Sequence, residues 1–307
     1  MNIRPATHDD YEAVAAFTEE TWADRDGDDY IPRVYHDWID NEGSETFVVS
    51  VEQSSTDRRT ESGNDGDIAG ICQAVMLSPH EGWAQGMRVN PDYRGEGVSP
   101  RLTERAFDWC RERGATVCRN MVFSWNQAGL GSSRAAGFEP ATEFRWMTPA
   151  PDATATPALS VRNAPDAAWS CFHRSDANAA LRGLALDLDE TYAVAELTRE
   201  RLHRVAAEER VLAVGDDGGT RAMTFRVRTA EYGDSETYAE YGVASWADTE
   251  ALRSLVAAVA RDAADLGVDG TRVLIPETVR HVSDAAHVRA GISDEPDFVL
   301  EADLTSR

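Results

Sequence analysis

Apolar residues along the first half of the chain change period several times, and each change marks an element. NIRPAT reads as a short strand. Thr7 followed by Asp10 has the chemistry of a helix start, and Val14, Phe17, Thr18 and Trp22 come after it at helical spacing. IPRVYHDWIDN predicts a second short helix. ETFVVSVEQ, IAGICQAVMLS and GWAQGMRV predict three strands of a meander, the first two separated by the wholly polar loop SSTDRRTESGNDGD. From Pro100 the period is helical, with Leu102, Ala106, Trp109, Cys110 and Arg113 along one stripe, and Gly114 ends it. TVCRNMVFSW is then a buried strand, NQAGLGSSRAAG a short helix and FEPATEFRWM a last strand. The predicted order is βααβββαβαβ.

TPAPDATATPA, residues 148–158, has the composition of an interdomain linker, and the second half of the chain echoes the first. LSVRNAPD stands where NIRPATHDD stood. ERVLAVGDDGGTRAMTFRVRTA predicts a strand, a turn and a strand, and SETYAEYGVA continues the meander. TEALRSLVAAVARDAADLG carries an apolar helical stripe at Leu252, Leu255, Val256, Val259 and Leu266, and TRVLI is a strand. HVSDAAHVRAGI echoes GLGSSRAAGF. A chain of 307 residues is long for one core. We therefore expect an α+β (mixed α/β) fold in two domains, 1–149 and 159–307, joined by a linker at 150–158.

Charge changes the picture of what such a chain meets. Acidic residues outnumber basic ones by 54 to 30, for a net charge of −24, and every basic residue is arginine, with no lysine. A surface this negative repels nucleic acid and anionic membranes. Lysine-free, Asp-rich chains resemble proteins of salt-in halophiles, in which high salt screens the repulsion. No apolar run reaches a membrane span, and MNIRPATHDDYEAV lacks the layout of a signal peptide, so a soluble, cytoplasmic protein is expected. Cys72, Cys110, Cys118 and Cys171 form no CxxC pair and the seven histidines no HxxxH arrangement. Buried thiols are expected, with no disulfide framework and no metal.

The candidate chemistry lies in VNPDYRGEGVSPRL, residues 89–102, where a loop joins a meander strand to a helix. Backbone N–H groups at a helix N-terminus lack intrahelical partners, and the helix dipole favours an anion there. Gly95 and Gly97 let a backbone approach a phosphate, with Arg94 beside it. The same stretch also reads as a plain helix start, with Ser99 as N-cap and Pro100 as the first helical residue. A dinucleotide-binding loop is disfavoured because the preceding strand belongs to a meander.

MRVNPDYRGEGVSPRL, succeeded by a strand, Asn126 and AAGF, resembles the acetyl-CoA signature of the GNAT-type N-acetyltransferase superfamily, Q/R-x-x-G-x-G/A. Arg94, Gly97 and Ser99 fill its fixed places, and the resemblance covers residues 2 to about 147. It implies a splayed, mostly antiparallel sheet in which acetyl-CoA lies in a V between two strands. Its pantetheine would pair with backbone around Met87 and Val89. Its diphosphate would meet the amides of Gly95, Glu96, Gly97, Val98 and Ser99, and Asn126 would touch the cofactor arm. Pro100 removes one donor from that anion site. Ser133 stands where many members carry the tyrosine that protonates the departing thiolate. For the base, Glu81 and His80 at the start of a strand are the nearest candidates.

The second half carries no such loop. GVASWADTEALRSL has Asp248 as a helix cap and no flexible glycine turn, which makes this half a degenerate GNAT-like domain without a CoA site. The function expected is transfer of an acetyl group from acetyl-CoA to a primary amine of a small-molecule or protein acceptor by the N-terminal domain, in a monomer or homodimer. The alternative is a non-catalytic acyl-CoA-binding or interaction protein that retains the fold. A purely structural chain is a third reading.

Overall fold

The computed structural model describes residues 1–19, 21, 29–52, 66–208, 210–232 and 236–305. Trp22 and nearly all of the polar loop after the second strand lie outside the described residues. The chain divides into two compact units. Unit 1 comprises Met1–Asn120, Asn126–Pro140 and Leu300–Arg307, and unit 2 comprises Met121–Trp125 and Ala141–Val299.

The first half runs β1 (Asn2–Pro5), α1 (Tyr11–Thr18), α2 (Ile31–Asp40), β2 (Ser44–Glu52), β3 (Gly66–Ser78), β4 (Glu81–Val89), α3 (Val98–Glu112), β5 (Val117–Phe123), α4 (Gln127–Ala135) and β6 (Glu139–Thr148). That is the predicted order, with a 3-10 turn before α1 and another before α3. At the first of these, the Asp10 carboxylate accepts from the backbone N–H and hydroxyl of Thr7 and pairs with Arg4 at 2.6 Å. In unit 1, β1, β2, β3 and β4 are successive antiparallel neighbours, and β5 joins β4 in parallel. Alternation along β3 and β4 sends Gly70 and Gly82 toward α3. A Cβ at Gly70 would meet Val98 and Leu102, and one at Gly82 would meet Cys110, so the helix lies close on this face.

Burial explains the cysteines. Cys72, Cys110 and Cys118 are buried and Cys171 half-buried, all as free thiols. Removal from water pushes the Cys72 thiol up to about 12, which leaves it unreactive.

The second half runs β7 (Ser160–Arg162), α5 (Pro165–His173), α6 (Asp176–Ala180), β8 (Leu184–Leu186), β9 (Val194–Glu196), α7 (Arg199–Ala206), β10 (Val211–Asp216), β11 (Gly219–Tyr232), β12 (Glu236–Tyr241), β13 (Ser245–Trp246), α8 (Thr249–Leu266), β14 (Gly270–Pro276), α9 (Val279–His287), β15 (Gly291–Ile292) and β16 (Asp297–Asp303). In unit 2, β7, β10, β11 and β12 are successive antiparallel neighbours and β14 joins β12 in parallel, the same order and sense as β1 to β5. Its core gathers Leu252, Leu255 and Val259 of α8 against Tyr241, Val273 and Ile275 of the sheet. The elements between residues 163 and 206 give no clear pattern in the sequence. The β8–β9 hairpin has strands of three residues, too short to display a period, and α7 is announced only by Thr198, whose hydroxyl accepts from the Arg201 amide.

The division does not fall at 149. Phe144–Met147 of β6 pair with Val273–Pro276 of β14, which fixes this strand in unit 2. Residues 150–158 have a linker's composition, yet the Asp152 amide donates to Ala260 of α8 and the Leu159 amide to the Ser254 hydroxyl. Leu300–Arg307 group with unit 1, where the Leu304 amide donates to Thr116.

Candidate acyl-donor site

The site begins where a strand pair parts. β4 and β5 are in register only from Glu81↔Val117 to Trp83↔Arg119, while β4 continues to Val89. Among the described residues, the edge of β4 from residue 84 onward, including Met87 and Val89, has no register with β5. On its other edge β4 stays on β3, with Gly70↔Val89 and Ile71↔Arg88.

A bulge sits in that edge. Two residue steps on β3, Ile71 to Gln73, stand against three on β4, Gln85 to Arg88. Gly86 absorbs the extra residue at φ +64°, and a Cβ there would come within 2.4 Å of the Trp38 ring. Arg88 holds the next peptide: its guanidinium donates to the Met87 carbonyl at 3.1 Å and to the buried Asp29 carboxylate at 2.6 Å. Sequence reasoning misses Arg88, Asp29 and Trp38. A glycine inside a strand pattern is the available signal for the bulge, whereas Asp29 sits in an acidic run that gives it no distinction.

The loop after β4 delivers the chain to α3. Asn90 caps a turn by accepting from the Asp92 amide, and the Glu96 amide is engaged by the Tyr93 carbonyl at 3.4 Å. Gly95 and Gly97 have φ of +84° and +75°, and a Cβ on either would meet nothing within 4 Å. Glycine is required there by backbone conformation, and the space beside it is open. Arg94 and Glu96 are exposed. The helix starts at Val98 with Gly97 as its N-cap and no side-chain cap. This corrects the reading of Ser99 as N-cap and Pro100 as first helical residue. The Ser99 hydroxyl instead meets that of Ser132 at 2.5 Å, tying α3 to α4. Pro100 is the third residue of α3, so the amides of Gly97, Val98 and Ser99 precede the first intrahelical bond and the fourth donor is lost.

Asn126 is the N-cap of α4, its side-chain oxygen accepting from the Gly129 amide at 2.9 Å. Ser133 accepts from the Asn120 side-chain nitrogen at 2.9 Å, and the Asn120 oxygen is buried with no partner among the described residues.

The candidate bases fall elsewhere. Glu81 is 5% exposed, pairs with Arg119 at 2.7 Å and accepts from Ser78 at 2.9 Å. It lies six residues before Met87, about 20 Å along the strand. Its place as base is therefore corrected to a structural ion pair that fastens the joined end of β4 and β5. His80 is in the exposed turn before it, where its carbonyl receives the Thr116 amide.

Unit 2 is closed at the corresponding places. β12 and β14 pair from Tyr238↔Gly270 to Tyr241↔Val273, and the Ala244 amide still donates to Leu274 beyond them. At the N-terminus of α8, Asp248 accepts from the amides of Glu250 and Ala251 and pairs with Arg221 at 2.8 Å. Those donors already hold a carboxylate. Among the described residues no three His, Cys, Asp or Glu side chains form a metal group, and no helix is long and apolar enough to cross a membrane.

A meander whose fourth strand parts from a parallel fifth, beside an uncapped helix N-terminus, defines an acyltransferase fold. Residues 11–138 match the acetyltransferase (GNAT) family, whose members use acetyl-CoA as cosubstrate. The whole chain is similar in fold to a GCN5-related N-acetyltransferase from Sphaerobacter thermophilus, at TM-score 0.64 and 13% identity over 99% of this chain and 95% of that one. A putative acetyltransferase from Thermoplasma acidophilum gives TM-score 0.55 and 14% identity over 99% and 100%. No curated protein matches the sequence.

Proposed function

We propose that unit 1 transfers the acetyl group of acetyl-CoA to a primary amine of a small-molecule or protein acceptor. The observation that carries this is the contrast between two helix N-termini. Among the described residues the amides of Gly97, Val98 and Ser99 at α3 have no side-chain acceptor, while at α8 Asp248 accepts from the second and third helical amides, those of Glu250 and Ala251. An internal carboxylate and a diphosphate compete for the same charge-assisted bonds, so only α3 is left for the ligand. Arg94 supplies a cation at the loop, the edge of β4 around Met87 and Val89 supplies backbone groups for the pantetheine, and Asn126 and Ser133 lie on α4. The neutral amine attacks the thioester carbon, the C–N bond forms as the C–S bond breaks, and the amine's proton leaves to solvent or to the sulfur. Unit 2 is read as a degenerate GNAT-like domain, with no donor site of its own.

The acceptor is read as neither nucleic acid nor anionic lipid, since a chain of net charge −24 repels both. We place the reaction in the cytoplasm, in a monomer or homodimer. One observation favours a second reading, acyl-CoA binding without turnover: Ser133 is a poor acid. Calorimetry with acetyl-CoA tests the donor site, and absence of heat would remove both readings. Thiol release with a panel of amines separates them, because binding without release on any amine favours the second.

A further inference from the structure

We propose that unit 2 carries a recess for a small planar carboxylate, gripped by Arg272 among the rings of Trp146, Tyr192, Tyr232 and Tyr238. The site is independent of acetyl-CoA.

The sheet of unit 2 has two unlike faces. Tyr241, Val273 and Ile275 turn toward α8 and are apolar in their company. Residues one step away turn to the other face: Glu240 stands opposite Arg272, and Trp146 opposite Leu274, in the register of β12, β14 and β6. There the Arg272 guanidinium lies 3.9 Å from the centre of the Tyr232 ring, 5.3 Å from Tyr238, 5.9 Å from Trp146 and 6.0 Å from Tyr192.

Among the half-buried arginines of this unit, Arg272 differs in its partner. Arg145, Arg201 and Arg226 pair with Glu277, Asp187 and Asp262 at 2.5, 3.1 and 2.6 Å. Arg272 is half-buried and meets no carboxylate at ion-pair distance among the described residues. Its one hydrogen bond there is to the Tyr192 hydroxyl, at 2.8 Å. A guanidinium has five N–H donors in a plane, matched to a carboxylate's two oxygens. Glu240, its cross-strand neighbour, is engaged by the Tyr232 hydroxyl and by Arg228 at 3.7 Å. Tyr192 is held at φ +60°, a conformation that a tyrosine rarely adopts, and its hydroxyl is what fixes the guanidinium. Buried Asp297, which accepts from the Trp146 ring nitrogen at 3.1 Å, has its carboxyl raised to about 6 by burial. Strain and a perturbed carboxyl converging on one cation mark a ligand site rather than plain scaffolding.

The chemistry selects the ligand. A cation is excluded because the Arg272 guanidinium repels it. A dianion such as phosphate would face Glu240 and Asp297. A monoanion with a flat apolar body satisfies the fork and the rings together.

Calorimetry with benzoate, benzamide and benzylammonium tests the recess. Benzoate should bind saturably, benzamide about 10- to 100-fold more weakly, since a charge-assisted fork is lost, and benzylammonium not at all. R272Q should lose benzoate binding. Should R272Q misfold, Y192F, which removes only the hydroxyl, should weaken benzoate while near-ultraviolet circular dichroism stays native. No saturable benzoate binding to the wild type, equal binding of benzylammonium, or unchanged benzoate affinity in folded R272Q or Y192F would overturn the proposal.

Discussion

Replacing Gly97 with aspartate separates ligand binding from folding. Gly97 sits at φ +75° and an added Cβ meets no atom within 4 Å, so nothing needs to move to admit a side chain. The cost to stability is that of the left-handed backbone, about 1–2 kcal/mol. The new carboxylate stands beside the amides proposed to hold the diphosphate. Two unit charges 4 Å apart at an effective dielectric of 20 repel by about 4 kcal/mol, which lowers affinity for acetyl-CoA about a thousandfold. Calorimetry and urea unfolding in one buffer read both effects. Gly97→Ala shares the backbone cost without the charge and should keep most of the affinity. A folded G97D variant with wild-type affinity would refute the assignment of α3, and an equal loss in G97A would show that backbone geometry, not charge, is responsible.

Other outcomes rest on the same geometry. Glu81→Gln breaks a buried ion pair and should destabilise by about 3 kcal/mol, with thiol release per folded molecule unchanged; lost turnover at full stability would restore Glu81 as base. Gly86→Ala adds left-handed strain to a clash with Trp38 and should cost about 2–4 kcal/mol in urea unfolding, part of which the added change Trp38→Leu should return. A fully stable G86A would contradict the bulge. The Asp297 carboxyl is raised from 3.8 to about 6, so the folded state holds its proton longer than the unfolded state, and stability falls as pH rises between these values. Asp297→Asn keeps an acceptor for Trp146 and should be near neutral at pH 4 while stabilising by up to about 3 kcal/mol above pH 6. Equal unfolding curves for variant and wild type at pH 8 would disprove the shift.

The first half is largely legible in the sequence because its elements are long enough to be distinctive: β3 is a near-continuous apolar run, buried from Ile68 to Val75, and α3 presents one apolar stripe against Gly70 and Gly82. The loop is legible through Gly95 and Gly97, since positive φ selects glycine. Its cap is not, because Ser-Pro is an equally good helix start, and only the bond between Ser99 and Ser132 shows that the serine serves another helix. Glu81 misleads for a related reason. A carboxylate beside a turn looks free in sequence, and its partner Arg119 arrives from a strand that begins many residues later. Arg272 is invisible, since the rings around it come from four separate segments.

The assignment of Leu300–Arg307 to unit 1 gives the chain a schedule. Those residues leave the ribosome after all of Ala141–Val299, so unit 1, begun before unit 2, is completed after it and must keep a place for this segment while Ala141–Val299 is made. The halves are consequently not cassettes. A gene cut at residue 149 would deliver a first fragment lacking its closing segment and a second lacking β6, each with a raw sheet edge prone to pair with other chains. Co-expression of two such fragments, rather than either one alone, is the route by which a cut chain would become soluble.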